Sequence, residues 1–127
     1  MSPRRVVLGW VPDSGDVIWI DHNPQAGREM KDHHPFAVLS TASFHSTVGL
    51  MLGCAITSAP YNHGSTLAVD LGPIPNRPDS HGYVLCQQLK SFDWRARGSS
   101  PHPIGRLQDS QLEEVLAIVG QILGFVV

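Results

Sequence analysis

Gly49-Leu50-Met51-Leu52-Gly53-Cys54-Ala55-Ile56 is apolar at every position. A strand facing water on one side would alternate, so this run belongs at the centre of a sheet, covered on both faces. Upstream, Asp16-Val17-Ile18-Trp19-Ile20-Asp21 is rich in β-branched and aromatic residues and reads as a strand. After a polar loop from His22 to His34, closed by Pro35, Phe36-Ala37-Val38-Leu39-Ser40 makes another. A turn or helical piece over 41–46 joins it to the central run. Downstream, strand character returns at Thr66–Leu71 and Tyr83–Gln88. Between them, residues 72–81 carry Pro73, Pro75 and Pro78 and read as an irregular connection.

The C-terminus reads as a helix. Ser110 with Glu113 three residues on has the pattern of a capping box. Leu112, Val115, Leu116, Val119, Ile122 and Leu123 follow at three- and four-residue spacing, a stripe to pack on the sheet. Five to seven short strands and one long terminal helix predict a mainly β fold. Its expected form is a small, half-closed antiparallel barrel of SH3-like type with the C-terminal helix against it. Residues 1–14 lack periodicity and read as an N-terminal arm carrying Arg4 and Arg5, ahead of a domain over 15–127.

The chain has 127 residues, 42% hydrophobic and 16% charged, which suits one domain with its own core. Nine basic against eleven acidic residues give a net charge of −2, so no global field draws a polyanion. Nucleic-acid binding would need a local patch or backbone donors. Cys54 and Cys86 each sit in apolar surroundings and read as reduced, buried small side chains. No signal peptide or membrane-length apolar stretch is visible, and a cytoplasmic location is expected.

Three polar segments interrupt the strands. Gly27-Arg28-Glu29-Met30-Lys31-Asp32-His33-His34-Pro35 packs carboxylates, imidazoles and cations into nine residues. Histidine and glutamate suit proton transfer near neutral pH, though a solvated loop has the same composition. Thr57 and Ser58 close the central run, where hydroxyls hold phosphate oxygens or satisfy turn backbone. In Gln87–Gly98, Lys90, Arg95 and Arg97 accompany Phe92 and Trp94. That is either a stacking, cationic nucleic-acid surface or a buried Trp94 with paired arginines. No histidine pair has zinc-motif spacing on one element and no Gly-x-Ser-x-Gly occurs, so neither metal catalysis nor serine acyl transfer is expected.

Taken together, these segments resemble the MazF/PemK (Kid) family of toxin–antitoxin endoribonucleases, over Gly15 to about Gly124. The likeness is carried by Gly15–Asp21 with Asn23-Pro24, by Gly27-x-Glu29, and by Pro35–Ser40. It continues through Phe44, Gly49-Leu50, Cys54-x-Ile56-Thr57-Ser58, Val84–Ser91 and Trp94-Arg95-Ala96-Arg97-Gly98. The resemblance implies a homodimer that cuts single-stranded RNA at short sequences without a metal or other cofactor. It also implies 2′,3′-cyclic phosphate and 5′-hydroxyl ends, and inhibition by an acidic antitoxin. The family's catalytic glutamate falls on Glu29 and its phosphate-holding threonine on Thr57. Two positions depart: His34 replaces the family's arginine before the proline, and Gln87 replaces its aspartate before glutamine.

Chemically, Glu29 or His33 would serve as base, and a protonated His34 as electrostatic stabiliser and acid. Arg28, Ser58, Gln87 and Lys90 complete the RNA-binding set expected from sequence. Two rivals stand beside this reading. One is a family member that binds RNA or antitoxin but cleaves poorly, motivated by His34 and Gln87. The other is a gyrase-targeting toxin on a similar fold, which would use helix and dimer surfaces instead.

Overall fold

The computed structural model describes residues 9–21 and 33–125. Among these residues six strands form one antiparallel sheet: β1 Asp16–Asp21, β2 His33–Val38, β3 Leu50–Thr57, β4 Ala68–Ile74, β5 Arg77–Asp93 and β6 Ser100–Arg106. Their spatial order is β4-β5-β3-β2-β1-β6, and the sheet curls into a half-barrel. Helix α1, Ala42–Val48, links β2 to β3, and α2, Asp109–Leu123, follows β6. The expected fold class is the observed one, and the apolar run 50–57 lies inside the sheet between β2 and β5.

Strand alternation explains why β3 has no polar face. Cys54 and Ile56 join Val17, Ala37, Val69, Val84 and Cys86 in a core closed by Val115 and Val119 of α2. Met51 turns the other way, into a second cluster with Ile18, Ile20, Phe36, Val38, Phe92 and Trp94. Residues 10–13 cover this second face. Trp10 meets Trp94 edge to face with ring centroids 6.0 Å apart, and Pro12 is fully buried. The buried His45 of α1 joins them: its Nδ1 lies 2.6 Å from the Pro12 carbonyl and its Nε2 2.6 Å from Ser40 Oγ. A carbonyl only accepts, so Nδ1 carries a proton. A helix of seven residues is marginal by itself. Thr41 caps it by accepting the Phe44 N–H, and Asp13 accepts the Ala42 N–H. Those backbone bonds, Ala42 first and then Ser14, hold the Asp13 carboxyl below the usual carboxylate range.

Several boundaries differ from expectation. β2 begins at His33 rather than Phe36, so both histidines belong to a strand. Pro35 is tolerated because it pairs only with Trp19 of β1; the β2–β3 ladder starts at Phe36. The stretch 72–81 is a hairpin, not an irregular connection. Asn76, at φ 72°, follows Pro75 in the manner of a type II turn, and the prolines sit on the edge strand or beside the turn. The helix cap is Gln108, whose N–H donates to Gln111 Oε1 at 2.8 Å, so Ser110 lies inside the first turn. The apolar stripe of α2 is split: Val115 and Val119 are buried, whereas Leu116, Ile122 and Leu123 are exposed. Both cysteines are free and buried, as expected. Burial, with Cys86 nearby, pushes the Cys54 thiol up to about 12, and burial pushes Cys86 up to about 11.

Candidate functional site

A cavity of about 600 Å³ opens where the ends of β1, β2, β3 and β6 meet the β4–β5 turn. Trp19, His33, His34, Thr57, Ser58, Arg77 and His102 contribute its chemistry. The sheet register explains the convergence. Phe36 pairs with Ala55, Ala37 with Cys54 and Val38 with Gly53. Carrying that register two residues further sets His34 across from Thr57, on the same face of the sheet. Thr57 in turn pairs with Tyr83, and Tyr83 with Asp70. One row of side chains thus crosses β2, β3, β5 and β4.

Thr57 Oγ1 accepts the Ala59 N–H at 3.2 Å, which fixes the hydroxyl and leaves its own proton for another acceptor. His33 lies on the Trp19 side of β2, the two rings 6.4 Å apart. On that side His102 stacks obliquely on Trp19 with centroids 4.3 Å apart. His102 is buried, and burial pulls its pKa below the ordinary histidine value. Its Nδ1 accepts the Ile104 N–H at 3.0 Å, so the neutral ring carries its proton on Nε2 as a donor. Arg77 is the one permanent cation among the described lining residues, and no carboxylate is among them.

The structure therefore brings together His33, His34, Thr57 and Ser58 of the residues expected from sequence. Gln87 and Lys90 are not among the cavity's lining residues; both are exposed on β5. Arg28 and Glu29 lie outside the described residues. In the Gln87–Gly98 segment the two rings serve the core: Phe92 and Trp94 are buried. The Arg95 guanidinium lies 4.3 Å from the Trp94 ring, and Arg97 lies 4.8 Å from Phe92 while donating to the Asp21 carbonyl. Sequence reasoning missed Trp19, Arg77 and His102 as site residues. Trp19 was legible only as strand. Arg77 and His102 stand among prolines that hid the hairpin and the edge strand β6.

Residues 13–123 match the family described as "PemK-like, MazF-like toxin of type II toxin-antitoxin system". The endoribonuclease toxin MazF of Escherichia coli (strain K12) is 31% identical over 121 residues, covering 94% of this chain and all of that protein. The endoribonuclease PemK of Escherichia coli is 26% identical over 87% of this chain and 81% of its own length. Among solved structures, MazF from Deinococcus radiodurans superposes with a TM-score of 0.74 at 33% identity, covering 91% of this chain and 98% of that one. A MazE–MazF structure from the same organism gives 0.75 at 32%, covering 92% and 99%. With the half-barrel, the terminal helix and nearly its whole length matched, the chain belongs to the PemK/MazF toxin family.

Proposed function

We propose that this protein is a toxin endoribonuclease that cuts single-stranded RNA at short sequences, without metal, and is silenced by an acidic antitoxin in the cytoplasm. The observation that carries this reading is that His33, His34, Thr57 and Ser58 line one cavity together with Arg77 and His102. In the proposed reaction Glu29 or His33 takes the 2′-hydroxyl proton and the freed oxygen attacks phosphorus. The bond to the 5′-oxygen breaks as His34 returns a proton to it. The products are a 2′,3′-cyclic phosphate and a 5′-hydroxyl. Thr57 and Ser58 hold the phosphate, while Nε2–H of His102 and the Arg77 charge offer donors toward it. Trp19 offers a face for a base, and Arg28, Gln87 and Lys90 contact RNA beyond the cavity. The endoribonuclease names of the relatives favour this over gyrase poisoning.

Incubating the pure protein with a long mixed-sequence RNA in EDTA, then mapping new 5′ ends, tests the proposal. Discrete cuts ending in 5′-hydroxyls are expected. RNA left intact at enzyme excess would instead support a member that binds without cutting.

The exposed apolar side chains support a homodimer. Leu116, Ile122, Leu123 and Phe125 are exposed on α2 and just after it, and Phe44, Val48 and Leu50 on α1 and at the start of β3. Sedimentation at micromolar concentration should give twice the chain mass; a strictly monomeric species would refute dimerisation.

A further inference from the structure

We propose that His63, Asp70 and His81 form a binding site for one divalent transition metal of the zinc class. None of the three lines the cavity, and they come from different elements. His63 ends the 3-10 turn Pro60–Asn62, Asp70 lies on β4 and His81 on β5. Their donor atoms all lie within 4.8 Å of one another. His81 Nδ1 is 2.8 Å from Asp70 Oδ1, and His63 Nδ1 is 3.6 Å from Asp70 Oδ2. A tetrahedral ion with bonds near 2.1 Å separates its ligands by ~3.4 Å, so small side-chain rotations bring this set onto one ion.

Several features make the cluster more than an ion pair. Two imidazoles face one carboxylate, and His63 Nδ1 stands just beyond hydrogen-bond distance of Asp70 Oδ2. The Gly72 N–H donates to Asp70 Oδ1 at 2.8 Å, an outer contact of the kind that orients a ligating carboxylate. Tyr83 lies between the two imidazoles, its ring centroid 6.3 Å from that of His81 and its hydroxyl 3.4 Å from His63 Nδ1, a contact that an ion on that nitrogen would replace. Two nitrogens and one oxygen suit zinc, nickel or copper rather than calcium or magnesium, which prefer all-oxygen sets. The half-exposed location leaves a coordination position for water.

Placement gives the site its interest. Asp70 pairs with Tyr83 and Tyr83 with Thr57, so the ion would sit two strand spacings, roughly 10 Å, from the phosphate-holding hydroxyl. It would tie the β4–β5 hairpin, which carries Arg77, to the turn that follows Thr57.

The test uses untagged, metal-stripped protein titrated with zinc chloride by calorimetry. One equivalent should bind and raise the melting temperature. The Asp70→Asn and His81→Ala variants should lose that equivalent. His63→Ala, whose side chain is mostly exposed, should weaken binding about tenfold or more while the metal-free protein melts as the parent does. Cobalt should give tetrahedral visible bands in the parent, absent from His63→Ala. Undetectable binding would overturn the proposal. So would unchanged binding in His63→Ala, or loss of binding on replacing His33 or His34 instead. Cleavage in EDTA is a separate readout, so failure here leaves the nuclease reading untouched.

Discussion

Replacing His34 by alanine is expected to slow RNA cleavage on the order of a hundredfold, the scale of a positioned acid or charge. The prediction rests on His34 and Thr57 lining the same cavity and on the absence of any carboxylate from its described wall. His34→Arg should keep substantial activity, since Arg also stabilises a phosphorane, while giving up proton donation. Arg77 lines the same cavity, so part of the electrostatic help survives in every His34 variant. Equal rates for parent and His34→Ala across about pH 6 to 9 would make the residue a bystander. The role would then pass to His33 or Arg77.

Gly53→Ala should cost ~3 kcal/mol or more, lowering the melting temperature by roughly 10 °C. Gly53 pairs with Val38 and Lys90 in the middle of the sheet. A Cβ there would collide with the Ala37 carbonyl oxygen and come within 2.6 Å of the Phe36 ring. The backbone oxygen cannot yield without breaking the β2–β3 ladder. The ring is fully buried and packed edge to face on Phe92, with centroids 5.4 Å apart. Gly120→Ala is the counter-case. Its Cβ would meet nothing closer than 3.8 Å, and alanine gains ~0.5–1 kcal/mol over glycine inside a helix. Thermal denaturation of the two variants should shift in opposite directions. A Gly53→Ala protein melting within a degree or two of the parent would mean that the Phe36 ring moves aside freely.

The contrast between those glycines shows what the sequence made legible. The run around Gly53 announced a buried central strand through composition alone, but the closeness of β2 depends on which residue lies across it. That pairing is a tertiary fact. The site followed the same rule. Thr57 and Ser58 were visible as hydroxyls ending an apolar run, and His33 and His34 as imidazoles beside Pro35. Arg77 and His102 were not, because Pro73, Pro75 and Pro78 made 72–81 read as irregular, and the proline-interrupted stretch of β6 shows no strand pattern. Pro75 lies in the β4–β5 turn and the others on β4, β5 and β6, near that turn or on edge strands where a missing N–H costs little. The helix stripe misled in another way. Periodicity gave the apolar residues of α2 correctly, yet it could not say that Leu116, Ile122 and Leu123 stay outside the protomer's own core. The His63–Asp70–His81 cluster is drawn from three elements, and no spacing along the chain encodes it.

Trp10 against Trp94, and the Leu107 N–H bonded to the Gly15 carbonyl, join the beginning of the chain to its final third. During synthesis on the ribosome, the early residues emerge long before those partners exist. β1 then lacks its β6 neighbour, and the face bearing Ile18, Phe36 and Met51 lacks the Trp94 that helps close it. Such long-range closure is slow to form and leaves greasy surface open while translation proceeds. A nascent polypeptide stalled before residue 94 therefore cannot reach the native state, and should be held by chaperones or degraded.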